Sequence, residues 1–374
     1  MAEALKDQFG IKIPHQLADT LTAVFPSFEA TSFVRTCLVG YEPLSLLARA
    51  HHLAANLHRY LPPYYPDALE ILLRSLGPRL ESVSNNGMAP FFYLPHTFFV
   101  ARFGLDHFEH SMQAQYELTQ RFTAEFSIRA YLERHPEATF ARLREWTTDP
   151  SVHVRRLVSE GTRPRLPWAS RIRSLQLDPG PGIELLERLK DDPDLYVRRS
   201  VANHLNDVGK DHPARLIEIA ARWLQNATSE RKWIINRALR SLIKQGNATA
   251  LAVLGFQNNT CAEILHPHLT PSPAQIGGAV NLSFTLRNTS NATGSFLVDF
   301  RIFFVKASGR AAPKVFKLQT IELGPGAQVP LSKRVSLAQM STRQHYPGHH
   351  RVEVLVNGEA FPAGAFELLP SDSV

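Results

Sequence analysis

Cysteine is almost missing from this chain of 374 residues: only Cys37 and Cys261 occur, too few and too isolated for a disulfide framework or a cysteine zinc site. A long apolar run is missing too. The opening Met1-Ala2-Glu3-Ala4-Leu5-Lys6-Asp7 has no basic flank followed by an apolar stretch, and the most apolar later segment, Phe91 to Val100, is short and interrupted by Pro95 and His96. Neither export nor a membrane span is expected, and the cytoplasm is the expected location. The Asn-x-Ser/Thr sites at Asn226, Asn247, Asn258, Asn281, Asn288 and Asn291 would matter only in a secreted protein. Also absent are a Walker phosphate loop, a dinucleotide glycine fingerprint, a Gly-x-Ser-x-Gly elbow and a His-Glu-x-x-His zinc motif. The histidine pairs His51-His52 and His349-His350 lack an evident third ligand, and adjacent side chains diverge on a helix or a strand. No metal and no cofactor are expected.

What is present is base and periodicity. The 41 Lys+Arg exceed the 34 Asp+Glu, giving a formal charge of +7, which favours polyanionic partners. From Leu17 to about Phe256 apolar residues recur at helical spacing, as in Leu69, Leu72, Leu73 and Leu76. Within that stretch Asp149-Pro150-Ser151-Val152-His153-Val154-Arg155-Arg156 recurs as Asp192-Pro193-Asp194-Leu195-Tyr196-Val197-Arg198-Arg199, an offset of 192 − 149 = 43 residues. This lies in the ~40–47-residue range of HEAT and armadillo repeats. Asp-Pro is expected to supply an N-cap and a first-turn proline to the second helix of each pair. Texture changes at the proline-rich Leu265-His266-Pro267-His268-Leu269-Thr270-Pro271-Ser272-Pro273, which reads as a linker. Strands follow: Val280 to Leu286 alternates strictly, Phe296–Val305, Val315–Leu323 and Val352–Val356 are β-rich, and Asn357-Gly358 marks a turn. The expected fold is mostly α: a HEAT-like helical-repeat solenoid over 1–264, a linker over 265–278, and a small immunoglobulin-like β-sandwich over 279–374.

Charge is concentrated. Between Ser151 and Leu175 stand Arg155, Arg156, Arg163, Arg165, Arg171 and Arg173 against the single acid Glu160, so 6 − 1 = +5. Pro164 and Pro167 keep Gly161 to Trp168 from being helical throughout, and arginines with a tryptophan among them as a stacking surface suit a phosphate backbone. The competing reading is a solvated helix face around a buried tryptophan. The remaining candidates for chemistry are carboxylates, Glu125 before Phe126 and Asp207 after the second basic repeat; by composition alone, such acids are more often caps or ion-pair partners.

Three segments carry a resemblance: Glu125-Phe126-Ser127-Ile128-Arg129, Ser159-Glu160-Gly161-Thr162-Arg163-Pro164-Arg165-Leu166-Pro167-Trp168, and Asp192-Pro193 through Asn203-His204-Leu205-Asn206-Asp207. With them the chain resembles the AlkC-type DNA glycosylases, relatives of the AlkD-type HEAT-like-repeat enzymes. Ile302 to Lys306, Pro313 to Leu318 and Ser341 to Gly348 extend the likeness into the C-terminal part. The resemblance implies hydrolysis of the N-glycosidic bond of cationic alkylated bases, chiefly 3-methyladenine and 3-methylcytosine, without base flipping. It assigns Glu125 and Asp207 to stabilising an oxocarbenium-like sugar and positioning water, with Trp168 against the deoxyribose. Which acid activates water stays open at this point. DNA contact is assigned to Arg155, Arg156, Arg163, Arg165, Arg199, Asn203, His204, Lys232 and Trp233. From Thr270 onward ten Lys+Arg face six Asp+Glu, so Lys306, Lys317 and Arg343, with Lys314, are expected to extend the grip. The expected partner is double-stranded DNA containing alkylated bases, bound by a monomer. The alternative is a non-catalytic helical-repeat scaffold for DNA or protein.

Overall fold

The computed structural model describes residues 5–81, 83, 87–256, 261–340 and 343–371; Met1, Ala2, Glu3, Ala4, Asn258 and Ser341, named above, lie outside them. Helices come first: α1 (Leu5–Gln8), α2 (Lys12–Val24), α3 (Ala30–Leu38), α4 (Leu46–Tyr60), α5 (Tyr65–Arg74), a short 3₁₀ turn at Ala89–Tyr93, α6 (Leu94–Phe103), α7 (Phe108–Thr119), α8 (Ile128–Arg134), α9 (Pro136–Trp146), α10 (Val152–Gly161), α11 (Arg173–Leu177), α12 (Gly180–Leu189), α13 (Leu195–Asp211), α14 (Pro213–Trp223), α15 (Ser229–Ala238), α16 (Arg240–Lys244) and α17 (Ala248–Val253). Among the described residues eight strands follow: β1 (Ala262–Thr270), β2 (Ala274–Gln275), β3 (Ala279–Asn288), β4 (Gly294–Val305), β5 (Ala311–Leu323), β6 (Gln328–Ser336), β7 (Gly348–Val356) and β8 (Glu359–Leu369). This is the expected mostly helical repeat fold followed by an immunoglobulin-like sandwich. No helix among the described residues is long and apolar enough to cross a membrane.

The 43-residue repeat is a repeat of chemistry as well as of letters. In the first copy the Ser151 amide donates to Asp149 Oδ1 at 2.7 Å, and Arg155 Nη1 donates to the Asp149 and Pro150 carbonyls. In the second the Asp194 amide donates to Asp192 Oδ1 at 2.9 Å, and Arg198 Nη1 donates to the Asp192 and Pro193 carbonyls. Each motif opens the second helix of a pair, α10 after α9 and α13 after α12. The expected cap needs correcting. Ser151 and Asp194 are the N-cap residues, and Asp149 and Asp192 lie two positions earlier, closing a tight turn rather than capping the helix. Arg155 also reaches forward to Asp192 (2.6 Å) and Asp194 (2.8 Å), tying one copy to the next.

Two compact units emerge, Met1–His212 with Asn226–Ala238, and Pro213–Gln225 with Leu239–Val374. In the second unit one sheet has the order β1-β3-β6 and the other β2-β8-β7-β4-β5. Alternation sets the core: Val280, Leu282, Phe284 and Leu286 of β3 are buried with Phe300, Ile302 and Phe304 of β4 and Val352, Val354 and Val356 of β7. The stretch 265–278 is therefore not a linker. It contains the end of β1, paired antiparallel with β3, and β2 beside β8. Nor do helix and sandwich part company at 264, since α14, α16 and α17 belong to the unit of the sandwich. Gly358, in the left-handed region at φ +85° in the turn between β7 and β8, shows why: a Cβ there would lie 2.8 Å from Leu251 and 3.0 Å from the Gly246 backbone.

Among the histidines buried in the helical unit, His96 and His204 are held as neutral rings. His96, in α6 among Phe92 and Tyr93, is pushed down to about 4 by burial, and its ring nitrogens have no hydrogen-bond partner. His204, in α13, is likewise pushed down to about 4 by burial while its Nδ1 contacts the Ser159 carbonyl at 3.0 Å. The unfolded chain binds protons more readily at both positions, so this contribution is complete above pH 6.5 and is lost as pH falls towards 4. Each ring is expected to contribute about 2 kcal/mol less at pH 5 than at pH 8, which urea unfolding at the two pH values measures. Equal stability at both would contradict it.

Candidate active site

The two expected carboxylates sit on different elements and are joined by one chain of ion pairs. Glu125 lies in the turn between α7 and α8. Thr123 Oγ1 donates to Glu125 Oε2 (2.9 Å) and accepts from the Glu125 amide (3.2 Å), which fixes the side chain locally. From α10, Arg156 Nη1 donates to the same Oε2 at 2.7 Å. Arg156 Nη2 then stands 3.7 Å from Glu160 Oε1, one helical turn on, and Arg163 Nη1 is 2.6 Å from that oxygen. Arg163 Nε closes on Asp207 Oδ2 of α13 at 2.8 Å, and Lys210 Nζ takes Asp207 Oδ1 at 2.8 Å. The series Glu125, Arg156, Glu160, Arg163, Asp207, Lys210 alternates in sign throughout.

Burial makes this alternation obligatory. Arg163 is 7% exposed and Asp207 1%, and unpaired charges at that depth would each cost several kcal/mol. Burial alone would raise the Glu160 carboxyl, but Arg156 and Arg163, with a 2.6 Å hydrogen bond from Ser200, hold it below its ordinary value. Burial likewise works against the Arg156 charge, yet Glu125 and Glu160 hold its pKa above the usual arginine value. Its guanidinium also stacks 5.0 Å above the Tyr196 ring.

A second buried arginine shapes the loop that follows α10. Arg129 of α8 donates through Nη1 to the carbonyls of Gly161 (3.2 Å) and Arg163 (2.7 Å) and through Nη2 to that of Ser170. Burial, only partly offset by neighbouring acids, pulls its pKa down to about 10. Gly161 permits the approach, because a Cβ there would stand 2.5 Å from Ile128 Cγ2. The stapled loop presents Trp168, which is 57% exposed and has a backbone φ of +65°. A bulky residue in the left-handed region is strained by ~1–3 kcal/mol and persists only where its surroundings impose it. Here Arg165 adds a restraint, a two-pronged pair with Asp211 at the end of α13.

The six-arginine argument needs revision. Arg155, Arg156, Arg163 and Arg165 are all paired, with acids contributed mostly by other elements: Asp192, Asp194, Glu125, Glu160, Asp207 and Asp211. They are not a free positive patch. Arg171 and Arg173 are exposed and make no ion pair among the described residues, and Arg199, Lys232 and Trp233 are exposed too, with Arg237 stacked on Trp233. Asn203 is half-buried. His204, expected on DNA, is 1% exposed beneath Gly182 and is a packing residue. In the sandwich, Lys306, Lys314 and Lys317 are exposed and Arg343 is half-buried. Sequence reasoning passed over Arg129, Glu160 and Lys210. Only Glu160 carried a signal, as the lone acid of a basic stretch.

Residues 263–370 match the family described as "Uncharacterised protein YhaZ, C-terminal Ig-like domain". Over 357 residues, 95% of this chain and 96% of its counterpart, the sequence is 35% identical to the "Uncharacterized protein YhaZ" of Bacillus subtilis strain 168. Among solved structures, the Pseudomonas fluorescens alkylpurine DNA glycosylase AlkC, bound to DNA containing an abasic-site analogue, superposes with a TM-score of 0.91 and 41% identity, covering 98% of this chain and all of that one.

Proposed function

This chain belongs to the family of AlkC and YhaZ, and from that premise we propose that it is a DNA N-glycosylase that releases cationic alkylated bases, 3-methyladenine and 3-methylcytosine, from duplex DNA. The observation that carries the reading is the asymmetry of Glu125. Its Oε2 is clamped by Thr123 and Arg156, while its Oε1 makes no hydrogen bond among the described residues. A carboxylate fixed through one oxygen with the other free is suited to accept a proton from water, so Glu125 orients and deprotonates the nucleophile. Asp207 has both oxygens occupied and is almost fully buried. Its part is electrostatic: a fixed negative charge that favours a cationic, oxocarbenium-like sugar.

Methylation has already placed positive charge on the departing base, so leaving-group protonation is not required and extrusion into a deep pocket is unnecessary. This differs from the usual glycosylase strategy. Trp168 lies against the deoxyribose, where its ring face attracts the developing cation. Phosphate contacts fall to the exposed cations Arg171, Arg173, Arg199 and Lys232 rather than to the paired arginines. The test is incubation with methylated duplex DNA followed by mass-spectrometric detection of free bases, with release of 3-methyladenine and 3-methylcytosine expected. Tight binding without release would leave a sensor of damaged duplex, not an enzyme.

A further inference from the structure

The sandwich contains a basic hollow that the reading above does not use. Lys306 lies at the end of β4, Lys314 on β5, and Arg343 with His345 on the segment leading into β7; together with Phe304 and Tyr346 they line a cavity of about 260 Å³. No acid is in its lining among the described residues. Lys314 stands opposite the buried Ile302, so it belongs to the inner face of the sheet at the open edge formed by β5. A single inward lysine on an edge strand is a common guard against edge-to-edge pairing. That does not account for three cations around one hollow.

Two further features point to a ligand. Lys314 Nζ and the Arg343 guanidinium lie over the same Phe316 ring, 5.5 and 5.7 Å from its centroid. Like charges held this near one ring repel each other, and an anion beside both would offset that repulsion. His345, in the wall, is 4% exposed, yet neither ring nitrogen has a hydrogen-bond partner. Buried polar atoms are rarely left unpaired without a reason, and in either tautomer the ring has one N–H to donate.

We propose that this hollow binds a phosphomonoester, with Lys306, Lys314 and Arg343 as its cationic lining and the His345 ring as part of its wall. Three positive charges match a group carrying about −1.5 to −2 better than the single charge of an internal phosphodiester. The hollow is also smaller than the ~300–1,000 Å³ typical of drug-sized ligands, a size for a small anion. The source is either free phosphate or the phosphorylated end of a nucleic acid strand.

Calorimetric titration of the full chain with inorganic phosphate, and binding of one unmethylated oligonucleotide with and without a 5′-phosphate, test this. Saturable phosphate binding is expected, weakened at least tenfold by Lys314→Gln and, independently, by Arg343→Gln. If strand ends are the source, the phosphorylated oligonucleotide binds more tightly than its twin and the difference disappears in Lys314→Gln; if free phosphate is the source, the twins bind alike and phosphate binding alone responds. Absence of saturable phosphate binding, or binding that neither substitution alters, overturns the proposal. Neither arm contains a methylated base, so the result stands apart from that of the base-release assay.

Discussion

Replacing Glu125 by glutamine is expected to slow release of methylated bases by ~10²–10⁴-fold, the usual range for loss of a general base, while duplex affinity changes little. Glutamine keeps the shape and one oxygen to accept from Thr123 and Arg156, but it cannot take a proton from water. Single-turnover kinetics on methylated duplex read the first effect, and fluorescence anisotropy on the same duplex reads the second. Glu125 is not deeply buried, its side chain being 13% exposed, and Arg156 retains Glu160, so the variant folds. Near-normal release by Glu125→Gln would show that water is activated elsewhere and would move attention to Asp207, whose oxygens are both engaged in ion pairs. Asp207→Asn separates the roles further: a residue acting through its field lowers the rate without a change in which group titrates as the base.

Arg163→Met is expected to destabilise the protein by ~3–5 kcal/mol, because it withdraws the cation between two buried acids, Glu160 and Asp207. The midpoint of chemical unfolding measures the loss. The same variant distinguishes two roles for this arginine. Had Arg163 gripped a phosphate, its removal would lower the salt dependence of DNA binding by about one unit of slope and leave stability nearly unchanged. As a member of the buried chain, it lowers stability and leaves the slope as it was. Unchanged stability in Arg163→Met would overturn the network described here.

The contrast shows what could be read from the letters alone. Periodicities survive in a sequence because they are local. Val280 to Leu286 alternates and is a strand with those four apolar residues inside. The Asp-Pro repeat is visible because its hydrogen bonds span only six residues. β1 escaped notice for an equally local reason: Pro267 and His266 interrupt its pattern, and they fall at a bulge where the register shifts between Leu265 and His268, on an edge strand that tolerates a missing amide. Pairing across the fold is another matter. Arg163 meets an acid 44 residues away and Arg165 one 46 residues away, so a window of 25 residues registers a charge excess that the fold then neutralises. The carboxylates Glu125 and Asp207 are candidates through family likeness; the arginines paired with them could not be read from the letters, because partnership is a property of stacked helices.

Trp168 sets the terms on which this loop exists. Glycine at 168 would accept φ +65° without strain, and a chain selected for durability alone would have it there. With tryptophan the loop is held in a conformation its own residue disfavours, and Arg129 must lie beneath it to keep it so. Local robustness has been given up for an aromatic surface open to solvent, and the residue proposed to meet the sugar is held in a strained backbone conformation.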